Sequence, residues 1–112
     1  ILKLSAYLTN LAGWNVTYVN EGEVFRLVVV LTNVGEATAK DIILNIDLKQ
    51  AKGIELIPLE DEYRRIDYLK GSKSVCFKWH LRGVKRGVYF IKVEASSANL
   101  RTYEIVPLEV RG

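Results

Sequence analysis

The chain has 112 residues, of which 49% are hydrophobic and 26% are charged, and its formal net charge is +3. These values fit a single soluble, globular domain over residues 1–112 and exclude an intrinsically disordered chain. The small, interspersed charge gives no signal for nucleic-acid binding, and no apolar run approaches the roughly 18 residues of a membrane-spanning helix.

The first residue and the rare residue types indicate the origin of the chain and exclude one kind of cross-link. The sequence starts at Ile1 and holds no Met, so we expect a piece excised from a larger protein, and the lack of a signal peptide in this piece is no argument against export. Cys76 is the only cysteine, which excludes an intrachain disulfide. Many Lys and Glu, with no Met and a single Gln, are typical of heat-adapted proteins.

Alternating apolar and polar residues predict β-strands in the first half of the chain. Residues 2–8 form the first strand, and residues 14–19 are expected to continue it beyond a break at Gly13. The longest pattern runs over residues 23–33 and ends at Asn33 and Gly35, both of which favour turns. Residues 39–48 then return as its partner.

The second half continues in the same way. Strands are predicted over residues 54–57, which Pro58 ends, and over residues 63–69, 75–81 and 89–95. A polar turn over residues 96–100 leads to a last strand, in which Tyr103, Ile105, Leu108 and Val110 are apolar and Pro107 is expected to break the alternation. Seven or eight short strands without a helix predict a two-sheet antiparallel sandwich.

Shared parity within each strand predicts the core, because strand side chains alternate between the two faces. The residues expected to be buried are Phe25, Leu27, Val29, Leu31, Ile42, Leu44, Ile46, Phe77, Trp79, Tyr89, Ile91 and Val93. Arg26 belongs to the opposite parity and is expected to face solvent.

Several of these motifs resemble a known family. They are the run Phe25-x-Leu27-x-Val29-x-Leu31-x-Asn33-x-Gly35, the run from Leu69 through Gly71 and Phe77 to Trp79, and Gly87-x-Tyr89-x-Ile91-x-Val93. Together they are similar to the CARDB domain, the cell-adhesion-related domain found in bacteria and archaea. The resemblance implies an immunoglobulin-like fold of about seven strands and a cell-surface or extracellular setting, and it implies no catalytic residues.

A catalytic or metal role was weighed for two groups of residues. Cys76, Lys78 and His80 share one strand face, but structural zinc takes four ligands and a catalytic His needs a nucleophile and an orienting group beside it. Glu60, Asp61 and Glu62, with Asp67 nearby, lack the glycine-containing loop of a calcium site. We therefore expect a solvated strand face and a solvated acidic loop, with no catalytic, cofactor or metal residues.

Ligand contacts, if present, are expected at exposed aromatic and basic residues. Trp14 follows Gly13 in an irregular stretch and is expected to pack at the end of the sandwich, the alternative being an exposed ring that stacks on a sugar. The residues that could contact anionic groups are Arg64, Arg65, Arg82, Lys85 and Arg86. Asn15 begins the only N-glycosylation sequon, Asn15-Val16-Thr17.

The function most consistent with these features is a non-catalytic spacer or adhesion module of a larger surface protein. The alternative is a carbohydrate-binding or accessory domain appended to a secreted hydrolase, and an enzyme domain is disfavoured because no acid–base pair at meaningful spacing is visible. The expected partners are other domains of the same polypeptide and surface proteins or glycans, with no nucleic acid. We also expect a monomer whose termini lie at opposite ends of the sandwich.

Overall fold

The computed structural model describes residues 1–98 and 100–112, and these contain strands and turns but no helix. The strands are β1 (Leu2–Thr9), β2 (Tyr18–Asn20), β3 (Val24–Asn33), β4 (Ala39–Asp47), β5 (Ile54–Leu56), β6 (Tyr63–Leu69), β7 (Ser74–Gly83), β8 (Gly87–Ser97) and β9 (Leu100–Arg111). Asn99, which belongs to the predicted turn over residues 96–100, lies outside the described residues. Within the residues that the structure describes, no helix is long and apolar enough to cross a membrane.

The strands form two packed sheets, which confirms the predicted immunoglobulin-like β-sandwich. The four-stranded sheet has the order β1-β3-β7-β5, and the five-stranded sheet has the order β2-β9-β8-β4-β6. The strand count exceeds seven because β2 and β5, with three residues each, are short additions. The strand predicted over residues 14–19 is wrong for its first half, since β2 begins at Tyr18 and pairs in parallel with the end of β9.

The core lies between the sheets, and most of the predicted core residues are buried. Phe25, Leu27, Leu31 and Trp79 have no exposed surface. Phe77 and Tyr89 are only half-buried, although both pack against the core. The parity of β3, β4, β7 and β8 thus identified their inward faces, and the two exceptions are less deeply buried than expected.

Tyr89 is half-buried because its hydroxyl forms hydrogen bonds with a loop at the surface. It donates to the Lys85 carbonyl at 2.9 Å and the Arg86 carbonyl at 3.1 Å, which ties the β7–β8 loop to β8. Its ring lies against Gly53, where a Cβ would stand 2.0 Å from the tyrosine oxygen. Only glycine leaves room for this contact.

A buried amide holds the end of the sandwich where the chain changes sheets. Asn33 is 1% exposed, and its Nδ2 donates to the carbonyls of Ala37 at 2.8 Å and Leu69 at 2.9 Å. Its Oδ1 accepts the N–H of Gly35 at 3.0 Å. The side chain therefore connects the turn after β3 to the end of β6, and it satisfies backbone groups that no ladder reaches.

The last strand corrects a prediction from the sequence. Leu108 and Val110 are buried, but Tyr103 and Ile105 are 56% and 48% exposed and lie on the outer face of the five-stranded sheet. Pro107 does not break the alternation, because the N–H of Glu109 points away from β8, to Thr17, and Pro107 has the same orientation. Proline thus occupies a position at which β8 needs no donor.

The first strand begins at one end of the sandwich, and the last strand finishes at the other end. Leu2 pairs with Asn33 at one end, and Val110 pairs with Gly87 at the other. The molecule measures 47 × 25 × 23 Å. Leu2 and Val110 therefore lie at opposite ends of its long axis, as predicted.

Leu27→Ala should lower the free energy of unfolding by ~2–5 kcal/mol, because it opens a cavity in a fully buried site. Lys3→Ala, at an exposed position of β1, should change it by less than ~0.5 kcal/mol. Denaturant unfolding measures both values. Equal losses for the two variants would mean that the inward face has been misassigned.

Candidate functional site

Trp14 is an exposed ring at one end of the sandwich, so the prediction that it packs there is wrong. It is 74% exposed, and it belongs to a turn closed by Asn10, whose Oδ1 accepts the N–H groups of Ala12 and Trp14 at 3.0 Å each. Because the turn satisfies its own backbone groups, it does not need the core. Asn15 follows it and is also exposed, as a glycosylation site requires.

The predicted basic residues do not form one surface. Arg82, Lys85 and Arg86 are exposed around the β7–β8 loop, and Arg86 pairs with Glu21 at 3.3 Å. Arg64 and Arg65 lie on β6, in the other sheet. This separation removes the continuous basic patch that an anionic polymer would require.

Arg64 points inward and is occupied by contacts within the chain. Its guanidinium lies 4.6 Å from the centroid of the Trp79 ring and pairs with Glu60 at 3.1 Å. It also donates to the Lys78 carbonyl at 3.3 Å and to the Asp61 carbonyl. Trp79 completes the group by donating its Nε1–H to the Asp61 carbonyl at 2.9 Å. Arg64 is therefore a structural residue rather than a free ligand contact.

Glu60 and Arg64 together replace a strand along part of the β7 edge. Glu60 Oε1 accepts the backbone N–H of His80 at 3.0 Å, and Arg64 donates to the carbonyl of Lys78. Both groups lie beyond the reach of the short β5, which pairs only with Leu81, Arg82 and Gly83. Side chains thus satisfy backbone groups that would otherwise form an open sheet edge.

His80 lies on the outer face as predicted, but it is part of a network rather than freely solvated. Its Nδ1 is 2.6 Å from Glu60 Oε1, and its Nε2 is 3.2 Å from Arg26 Nε. Arginine can only donate, so Nε2 accepts and the proton of the neutral ring lies on Nδ1, facing Glu60. Arg26 also donates to the Leu11 carbonyl at 3.3 Å, which extends the network to the Trp14 turn.

The contacts of this network stabilise the ionised form of Glu60. Burial raises the pKa of Glu60, but hydrogen bonds from the side chain and backbone of His80, together with the positive charge of Arg64, outweigh it, so the pKa lies below its ordinary value of 4.5. Both ring nitrogens of His80 are occupied, and Cys76 lies four residues away along β7. Cys76 is therefore not placed to use His80 as a base.

The outer face of the five-stranded sheet carries aromatic and polar side chains that the sequence did not reveal. Tyr63, Asn45, Glu94 and Tyr103 face one another across neighbouring strands, and both tyrosines are more than half exposed. Beside this row, a cleft of about 290 Å³ lies between the end of β4 and the start of β6. The Oδ1 of Asn45 is buried there without a hydrogen-bond partner among the described residues.

The acidic residues considered for calcium are dispersed. Glu60 is committed to His80 and Arg64, and Asp61 accepts the N–H of Tyr63 at 3.1 Å. Within residues 1–98 and 100–112, no three His, Cys, Asp or Glu side chains form a group that could hold a metal ion.

Comparison with solved structures identifies the fold. The CARDB domain of the PF1109 protein from Pyrococcus furiosus, solved in complex with di-metal ions, superposes with a TM-score of 0.67 at 9% identity, over 98% of this chain and 94% of that chain. This agreement confirms the resemblance to CARDB at the level of the fold. No family model matches the sequence, and no curated protein matches it.

The same fold occurs in proteins of different kinds. Salmonella alpha-2-macroglobulin reacted with methylamine gives a TM-score of 0.70 at 22% identity, over 96% of this chain and 7% of that chain. AvmM, which catalyses macrocyclization in alchivemycin A biosynthesis, gives 0.64 at 11% identity, over 97% of this chain and 89% of that chain. Since the fold serves both a large protein and an enzyme, function must be argued from this chain's own surfaces.

Glu60→Gln should remove part of the acid sensitivity of the fold. Because the pKa of Glu60 is lowered by folding, its contribution is fully present above pH 4.5 and is lost as the pH falls through the folded value. Unfolding free energies measured from neutral pH to about pH 3 should therefore fall less steeply for the variant than for the wild type. The control is Glu36→Gln, at an exposed glutamate, and equal slopes for all three proteins would contradict the role of Glu60.

Proposed function

We propose that the chain is a non-catalytic module of a larger surface or exported protein, in which it acts as a spacer or adhesion unit. The observation that carries the proposal is the separation of Leu2 and Val110 at opposite ends of a sandwich 47 Å long. A chain that enters at one end and leaves at the other adds its long dimension to the parent protein.

The non-catalytic role is supported by the contacts of His80 and Glu60, the two residues best suited to act as a general acid or base. His80 is held between Glu60 and Arg26, and Glu60 is held by His80 and Arg64. A general acid or base needs a free position facing a substrate. Their side chains instead stabilise the β7 edge.

The surface setting is supported by the resemblance to CARDB and by the exposed Asn15 sequon. In this setting the partners are other domains of the same polypeptide, with surface proteins or glycans as further contacts. Nucleic acid is disfavoured because the basic residues lie apart, on two different sheets.

Two copies joined end to end should form a rod. The maximum dimension measured by small-angle X-ray scattering should grow by about 47 Å relative to one copy, because each module contributes its long axis. The single chain, measured under the same conditions, is the control. Side-by-side packing would leave the 47 Å dimension unchanged, so an increase far below 47 Å would refute the spacer role.

A carbohydrate-binding accessory domain is the second candidate, and the exposure of Trp14 favours it. Trp14 is 74% exposed while Trp79 is fully buried, so a sugar that stacks on the surface reports through Trp14 alone. Titration with a panel of soluble glycans should then change the tryptophan fluorescence of the wild type but not of Trp14→Ala. A silent wild type across the panel would leave the spacer role as the better proposal.

A further inference from the structure

The free edge of β6 is a strand edge without a partner among the described strands, since β6 pairs only with β4. Ile46 donates its N–H to the Glu62 carbonyl, so the even-numbered residues of this segment direct their backbone groups toward β4. The alternation of a strand then directs the N–H and C=O groups of Arg65 and Asp67 outward. Such an edge is a ready template for another strand.

The side chains along this edge are charged and uncommitted. Glu62, Arg65, Asp67 and Lys70 are all exposed. None of them takes part in the ion pairs found among the described residues, whereas the neighbouring Glu60 and Arg64 bind each other. The edge therefore presents both signs of charge in a fixed order, with Ile66 at its centre.

We propose that β6 joins two copies of this chain by antiparallel pairing about a two-fold axis at Ile66. In this register Arg65 faces the partner's Asp67, and Glu62 faces the partner's Lys70, each twice by symmetry. Arg64 and Leu69 add nothing to this interface, because Trp79 and Glu60 hold Arg64 and Leu69 is buried. The cross-strand pairs between uncommitted side chains thus join opposite charges, and pairs of this kind stabilise sheets.

The two neighbouring registers of the same edge are repulsive. Only shifts of two residues keep the outward backbone groups of both strands in contact. One such shift places Arg65 opposite the partner's Arg65, and the shift in the other direction places Asp67 opposite the partner's Asp67. Like charges directly opposite one another destabilise a sheet, so the charge pattern selects the register centred on Ile66.

The resulting dimer joins the two five-stranded sheets through the β6 strands into one continuous sheet. The two-fold axis is perpendicular to that sheet, so the long axes of the two sandwiches run antiparallel, and the interface is self-complementary. The dimer replaces the monomer that we expected from the sequence, and it stands independently of the spacer role, which depends on the termini.

Charge reversal tests the pairing through the mass measured by analytical ultracentrifugation. The wild type should show a concentration-dependent dimer. Arg65→Asp and Asp67→Arg should each weaken it by roughly tenfold or more, because each turns two attractive pairs into two repulsive ones. The double variant, and an equimolar mixture of the two single variants, should recover the dimer because both restore opposite charges across the axis.

The matched control is Arg101→Asp, an exposed arginine on β9, which should leave the dimer unchanged. Circular dichroism checks that all variants fold, and hydrogen exchange should show amide protection of Arg65 and Asp67 that rises with protein concentration. A wild type that stays monomeric at its highest soluble concentration would overturn the proposal. So would a dimer that both single variants retain, since its interface would lie elsewhere.

The two proposals fail separately. Scattering from the joined copies is measured with Arg65→Asp in each copy, so that pairing at β6 does not affect their length. A rod without a dimer rejects only the β6 interface, and a dimer without a rod rejects only the spacer.

Discussion

The side chain of Asn33 is the contact on which the arrangement of the two sheets depends. The chain changes sheets several times, and two of these passages are the one from β3 to β4 and the one from β6 to β7. Asn33 is at both passages, since its amide binds Ala37 and Gly35 in the first turn and the Leu69 carbonyl at the second. Its backbone continues the connection, with Ser72 donating to the Asn33 carbonyl at 2.8 Å. An apolar side chain there would leave these buried groups unpaired, which is costly.

The strand that Asn33 holds by its end is an edge strand. β6 is the outermost strand of its sheet, and Arg64 near its start reaches the Lys78 carbonyl of β7. The side chains of Glu60 and Arg64 then reach across and satisfy the backbone of β7 at His80 and Lys78. The edge of β7 is covered in this way, while the outward backbone groups of Arg65 and Asp67 on β6 have no strand partner among the described residues.

Two adjacent arginines on β6 point to opposite faces of the strand and therefore have different roles. Arg64 faces the interior side of β6, where Trp79 and Glu60 hold it, and Arg65 faces solvent opposite Ile43. In the sequence they form a basic pair of equivalent appearance. In the fold one stabilises the gap between the sheets, and the other can contact a second molecule.

The sequence by itself determined the class of the fold and the direction of most side chains. The alternation in Phe25, Leu27 and Leu31 is local, because it depends only on the period of a strand, and the same holds for Trp79. The Asn33 and Gly35 turn was visible for the same reason. These features can be predicted from neighbouring residues alone.

The tertiary structure decided the contacts between distant residues and the depth of burial. His80 meets Glu60, 20 residues away, and Arg26, 54 residues away, only because β7 lies between β5 and β3. β9 keeps its alternation through Pro107, so Tyr103 and Ile105 lie on the face opposite to the buried Leu108. The proline is tolerated because its position faces away from β8, which depends on strand order rather than on the local pattern. Local periodicity specifies which way a strand faces, but the neighbours of each strand are set by the packing of the whole chain.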